Sequence, residues 1–317
     1  MLRYGAWQGD CTMPRWLRIT LTIVAVLLLA CGGAYYWLIG DSAPPGNVQP
    51  FGFDLAAVRA KADELPGGKA DDIRVEKVSV FDLPAVAAIG GIDWAAMVMP
   101  EFSYQLILPT DTIIIDTAFN ASLGASVRAR IDDDAYARMD MAMAEATQIV
   151  VTHEHADHIG GILAYSDPQG IARALRLNKE QLESLPRYGL VWPAVLGDYA
   201  PIEYSGMLAI APGVVLIKAP GHTPGSQIIY VKRQDGREVL FVGDIGWRTA
   251  NIETGRGKPR LVSQYLLGED RDAVFAELAT LKALHEAAPD LLIVPGHDPM
   301  AVDGLIASGA LTAQFKL

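Results

Sequence analysis

Four side chains able to bind a metal ion fall within six residues in Thr152-His153-Glu154-His155-Ala156-Asp157-His158, directly after the short apolar run Gln148-Ile149-Val150-Val151. Imidazole and carboxylate are ligands for zinc, iron and manganese. In an extended backbone alternate side chains share a face, so His153 and His155 can converge on one ion while Asp157 and His158 turn toward a second. The spacing proposes two metals. Three later segments can complete the shell: Pro220-Gly221-His222-Thr223-Pro224-Gly225, Phe241-Val242-Gly243-Asp244 and Ile293-Val294-Pro295-Gly296-His297-Asp298. Five of the six histidines lie in these segments, a concentration that a chance scatter does not explain.

The order H-x-H-x-D-H, then H, then D, then H resembles the metallo-β-lactamase-fold hydrolase superfamily, in its glyoxalase II and lactonase-like branch. The resemblance runs from about Asp116 to His297 and implies a role for each position. His153, His155 and His222 would bind one ion, and Asp157, His158 and His297 the other. Asp244 would bridge both together with a water or hydroxide, Asp157 would also orient the nucleophile, and Asp116 would support the metal loop from behind. The implied fold is α+β, an αββα sandwich of two mixed sheets with outer helices. Gly225-Ser226 stands where many glyoxalase II-like sequences have Gly-His, which puts the thioester activity of that group in doubt.

Two divalent ions a few ångströms apart lower the pKa of a shared water toward about 7 and polarise a carbonyl or phosphoryl oxygen. The expectation is therefore a metal-dependent hydrolase with two divalent ions, zinc first and iron or manganese as alternatives. Its small-molecule substrate would be an ester, lactone, thioester or amide. Two other readings stay open: a mononuclear iron enzyme of the persulfide dioxygenase kind, and a non-catalytic, membrane-anchored domain that binds metal or ligand.

The ligands require strands that end at one edge. Strand character marks Ile73 to Phe81, Phe102 to Leu108, Ile113 to Asp116, Gln148 to Val151, Val214 to Lys218, Gln227 to Val231 and Glu238 to Val242. Helical patterns cover Asp54 to Leu65, Asp132 to Ala146, Lys179 to Leu185 and Glu269-Asp270 to Ala287. Residues 164 to 205 fit the core pattern least and are read as a lid over the site. His285 is read as a packing residue of the late helix, and Asp298 as a turn cap. Tyr104, Trp247 and Arg248 are read as core or surface residues rather than substrate contacts.

The chain has 317 residues, 51% of them hydrophobic, enough for a sizeable core. Ile19 to Ile39 carries no charge and is long enough at about 1.5 Å per residue to cross a bilayer of roughly 30 Å. Arg3, Arg15 and Arg18 precede it against one acid, Asp10, while Trp16 and Tyr35-Tyr36-Trp37 mark its ends. This pattern keeps residues 1–18 cytoplasmic, makes 19–39 an anchor or signal segment, and places the remainder outside, in the periplasm of a bacterium. Cleavage and secretion, or acylation at Cys31 within Leu28-Leu29-Ala30-Cys31-Gly32, are the competing fates. Residues 40–70 are expected to form a linker and a short helix, with the catalytic domain at 71–317.

Both cysteines, Cys11 and Cys31, precede residue 40, so the domain has neither a disulfide nor a thiolate ligand. Beyond residue 40 there remain 23 basic and 36 acidic residues, a net charge of −13 that weighs against a nucleic-acid partner.

Overall fold

Ile113, Ile114 and Ile115 are consecutive and fully buried, yet they serve two different cores. Alternate strand residues point to opposite faces, so an all-apolar strand requires a layer on each side. The computed structural model, which describes residues 13–317, supplies both layers. Arg3, Asp10 and Cys11 lie outside the described residues.

In chain order the strands of the first half are β1 (Asp72–Pro84), β2 (Ala96–Ile107), β3 (Thr112–Ile115), β4 (Arg130–Ile131) and β5 (Gln148–Val150). Those of the second half are β6 (Met207–Ala211), β7 (Val214–Lys218), β8 (Gln227–Lys232), β9 (Glu238–Phe241), β10 (Leu291–Val294) and β11 (Thr312–Ala313). The helices are α1 (Arg15–Tyr35), α2 (Leu55–Ala62), α3 (Asp133–Glu145), α4 (Ala156–Leu163), α5 (Pro168–Ile171), α6 (Lys179–Ser184), α7 (Thr249–Thr254), α8 (Arg271–Ala287) and α9 (Pro299–Ala307).

The first sheet runs β11-β1-β2-β3-β5 with β4 on β1, and the second runs β10-β9-β8-β7-β6. Both are mixed: β1 with β11, β3 with β5 and β9 with β10 pair parallel, and β2 and β8 pair antiparallel with both neighbours. Ile113 and Ile115 meet Val214, Leu216 and Phe241 between the sheets. Ile114 meets Met139 and Met143 of α3 on one outer face. On the other outer face Val215 and Ile217 meet Val274 and Leu278 of α8. The layers are helix, sheet, sheet, helix, as expected. Truncating a residue such as Ile114 to alanine costs about 2–5 kcal/mol, because both the transfer free energy and a cavity are involved.

Local chemistry sets the helix starts. The side chains of Asp132 and Asp270 accept from the backbone N–H of Ala135 and Ala273 at 2.9 and 3.1 Å, and Asn178 forms a reciprocal cap with Gln181. The β1–β2 ladder extends beyond the expected strands, from Asp72↔Ile107 to Pro84↔Ala96, with a bulge between Lys77 and Ser79. Strand continuation there rests on the backbone ladder, although Glu76 and Glu101 interrupt the apolar pattern.

Of the linker and short helix expected at residues 40–70, the helix is α2, capped by Asp54. Phe51, Phe53, Val58 and Ala62 pack on the α8 side of the second sheet. Asp41 to Pro50 do not hold the leading helix at a distance. Helix α1, continued by a wider π turn over Tyr36–Gly40, touches the domain directly: Tyr35 Oη donates to Gly91 O at 2.7 Å and Gly91 N donates to Ile39 O at 3.2 Å. Arg15–Gly40 is long and apolar enough to cross a membrane, a property that a signal sequence shares.

Candidate metal centre

Strand β5 ends at Val150, and the chain then leaves the extended conformation that the spacing of the histidine cluster suggested. His153 and His155 lie in a loop, while Asp157 and His158 occupy the first turn of α4, with His155 as its N-cap. The turn is held by Asp116 at the end of β3. Its carboxylate accepts from Thr152 N at 2.6 Å and Thr152 Oγ1 at 2.9 Å. Asp116 itself sits at φ 58°, a left-handed conformation unfavourable for a side chain, and these bonds hold it there.

All seven expected ligands come together, in two groups that share Asp244. His153, His155, His222 and Asp244 form one, and Asp157, His158, Asp244 and His297 the other, with ligand atoms in each within 4.8 Å of one another. In the first group Nδ1 of His155 lies 3.1 Å from Nε2 of His153 and 3.0 Å from Nε2 of His222. Asp244 divides its oxygens between the groups. Oδ2 is 3.4 Å from His222 and 3.9 Å from His153, whereas Oδ1 is 3.0 Å from His297 and 3.5 Å from His158.

A carboxylate able to face two cations is thus in place. Nε2 of His158 and Oδ1 of Asp244 are buried without a hydrogen-bond partner, and a cation satisfies both. Three imidazole nitrogens converging without an intervening acceptor suit a tetrahedral zinc-type group. The residues fit two divalent ions.

The far side of three of the rings is also tied down. Nδ1 of His158 meets Asp116 Oδ2 at 2.9 Å, Nδ1 of His222 meets Glu269 Oε1 at 2.6 Å, and Nδ1 of His297 donates to Pro100 O at 2.9 Å. Such partners fix the proton on Nδ1 and leave Nε2 free to ligate. Glu269 also accepts from the buried Lys258 Nζ at 2.7 Å, and Lys258 donates to Asp244 O at 2.6 Å. Burial opposes ionisation of Glu269, but Lys258 and His222 outweigh it and hold the carboxyl below its usual range. Sequence reading missed both residues, since a lysine and a glutamate eleven positions apart carry no metal-site spacing.

Burial, reinforced by the neighbouring rings, holds the pKa of His153 and His155 well below the ordinary imidazole value, leaving them neutral. For His158 burial acts the same way, yet Asp116 and Asp157 outweigh it and push the pKa well up. The carboxylates that favour a proton on His158 equally favour a divalent cation beside it.

Above the ligands lies a cavity of about 740 Å³ whose wall is mostly apolar, including Phe81, Ala87, Phe119, Trp247, Val262 and Leu267. Trp247 therefore does face the site, and its Nε1 donates to Asp244 Oδ2 at 2.7 Å. Tyr104 is a core residue against Phe241, and Arg248 pairs with Asp298 on the protein side. Asp298 caps α9 and also accepts from Thr249. His285 is exposed, which corrects its reading as a packing residue: it follows the apolar face of α8 by one turn but projects to solvent.

Residues 164 to 205 pack mainly against β5 and α4 through Leu175, Leu177, Leu185 and Leu196. From this segment Arg187 and Tyr188 line the cavity. Much of the opposite wall is instead Pro259 to Leu267, which sequence reading did not single out.

The family model described as metallo-beta-lactamase superfamily matches residues 98–297. An N-acyl homoserine lactonase of a Bacillus species is 29% identical over 110 residues, covering 33% of this chain and 40% of the relative. A probable metallo-hydrolase of Mycobacterium tuberculosis is 29% identical over 180 residues, covering 49% of this chain and 56% of that one. The alignments thus span about half or less of these relatives' length. Among solved structures, a quorum-quenching N-acyl homoserine lactone hydrolase superposes with TM-score 0.60 at 18% identity, over 74% of this chain and 95% of the other, which shows the shared fold.

Proposed function

The chain belongs to the metallo-β-lactamase superfamily, and from that premise we propose that it is a dinuclear metal-dependent hydrolase, with zinc the expected metal, that opens a lactone or cleaves an ester. The observation that carries the proposal is Asp244, whose two oxygens face two complete sets of ligands. The similarity to N-acyl homoserine lactonases and the apolar cavity wall favour a lactone or ester over a thioester or amide.

When bound, two divalent ions supply Lewis acidity that polarises the carbonyl and lowers the pKa of water toward about 7. His153, His155 and His222 would hold one ion, Asp157, His158 and His297 the other, and Asp244 would be shared between them. Asp157, largely buried and lining the cavity, would accept a hydrogen bond from the attacking water. Tyr188 stands edge-on to His155 with ring centroids 4.4 Å apart, and its buried hydroxyl has no other partner. Burial pushes its pKa up to about 12, so the ring lines the cavity with its hydroxyl protonated. The cavity wall excludes water around the acyl part of the substrate.

The exposed apolar face of α1, with Trp16 near one end and Tyr36 and Trp37 at the other, supports a retained membrane anchor carrying the domain outside the cytoplasm.

The test is metal analysis of the full chain in detergent, combined with lactone, ester, thioester and amide substrates. About two equivalents of metal and hydrolysis lost in Asp244→Ala are expected. Less than half an equivalent, with no hydrolysis after zinc, iron or manganese is restored, sinks the proposal.

A further inference from the structure

The end of the anchor helix forms part of the rim of the cavity. Ile39 lines it, together with Trp94, Val127 and Leu266. Around that rim large apolar side chains face outward: Ile92 is 85% exposed, Leu266 71%, Tyr265 61% and Trp94 57%. Isolated exposed apolar residues are ordinary, whereas a cluster of this kind marks a contact surface.

These residues are joined to the helix by specific contacts. Trp94 Nε1 donates to Tyr35 Oη at 3.1 Å, Tyr265 packs on Trp37 with centroids 6.2 Å apart, and the Arg260 guanidinium lies 4.9 Å from the Trp37 ring centre. Tyr35 and Trp37 belong to the end of the apolar helix, where aromatic rings settle at the headgroup level. Whatever plane the bilayer surface takes at Tyr35 and Trp37, the residues bound to them are brought to it.

We infer that the mouth of the cavity opens onto the bilayer surface, and that the substrate is a long-chain acyl lactone or ester taken from the lipid phase. The collar of Ile92, Trp94, Tyr265 and Leu266 dips into the interface, and the acyl chain slides past Ile39 along the apolar wall to present its carbonyl to the metal ligands. The continuity of this face with the spanning helix selects lipid as its occupant. A protein partner would need no such alignment with the anchor. This deepens the proposed function and rests on its reading of α1 as a retained anchor.

The test uses the full chain in phosphatidylcholine nanodiscs, with Cys11 and Cys31 replaced by serine. A nitroxide is placed in Ile92→Cys or, at the far end of the β8–β9 hairpin from Asp244, in Asp235→Cys. The label at 92 is expected to be reached by oxygen and shielded from a water-soluble nickel chelate, with the label at 235 showing the reverse. Equal nickel access at both positions overturns the inference. So does shielding from both reagents at 92, which signals a protein contact, or an intact mass lacking α1.

A second arm compares nitrophenyl butanoate with nitrophenyl dodecanoate. Ile92→Glu combined with Tyr265→Glu is expected to lower turnover of the long ester about 10-fold or more, since charge at the collar opposes its contact with the interface in which a long acyl chain, unlike a short one, is concentrated. Turnover of the short ester should stay within about 2-fold of the parent, because the enlarged charge at the collar leaves the ligand groups untouched. Equal losses on both esters sink the inference. If neither ester is cleaved with metal restored, the proposed activity fails, and the label positions alone decide the membrane contact.

Discussion

Glu269 Oε1 lies 2.6 Å from Nδ1 of His222 and 2.7 Å from Nζ of Lys258, so a single buried carboxylate both orients the His222 ring and pairs with the buried Lys258 ammonium. Glu269→Gln keeps the shape but can present its amide nitrogen to His222 and loses the charge beside Lys258. The affinity for the ion at His153, His155 and His222 is expected to fall about 10–100-fold. Competition with a chromophoric chelator measures this. An unchanged affinity would show that the imidazole needs no help from Glu269.

Asp244 is common to both ligand groups, whereas His222 and His297 each serve one. Asp244→Ala is therefore expected to weaken both ions, and His297→Ala mainly one. Metal content after dialysis against a weak chelator should fall toward zero in the first variant and toward one equivalent in the second. Retention of two ions by Asp244→Ala would remove the bridging role.

Two glycines near each other in sequence should respond oppositely to alanine. At Gly296 an added Cβ runs into Asp244 Oδ1 and approaches Gly243 O at 3.1 Å, while at Gly304 in α9 it meets nothing within 4 Å. Gly296→Ala is expected to lower stability by about 1–3 kcal/mol through overpacking and to displace Asp244. Gly304→Ala should raise stability by about 0.5–1 kcal/mol, because alanine loses less backbone entropy in a helix. Urea unfolding midpoints of the two variants decide the matter, and a shared sign would contradict the contact geometry.

Glu277 is buried in α8 and accepts from Gly221 N at 2.9 Å. Burial pushes its pKa up to about 8, with the Glu269 and Asp270 charges adding to the shift while the Gly221 N–H and Lys258 oppose it. Because the folded carboxyl holds its proton more tightly than the unfolded one, its ionisation costs stability as pH rises from the ordinary carboxylate range through about 8. Relative to Glu277→Gln, the parent protein should lose melting temperature between pH 5 and pH 9, with the gap smallest at the acid end. A pH-independent gap between the two melting curves would count against a protonated buried Glu277.

Sequence alone was enough to single out the seven side chains from His153 to His297 that the structure brings together, because metal ligation demands particular side chains and their order along the chain survives as a pattern. The strand at Ile113 to Asp116 and the helices that start near Asp132 and Asp270 were legible for a similar reason: they depend on neighbours a few residues away. Lys258, Glu269, Tyr188 and the rim residues Ile39 and Trp94 were not, since what gives each its part is a contact with a residue far along the chain or on another element. Which oxygen of Asp244 faces which histidines, and that the helical segment ending at Gly40 brings Ile39 to the cavity, were decided by tertiary structure, where packing of the two sheets sets distances that no linear spacing encodes.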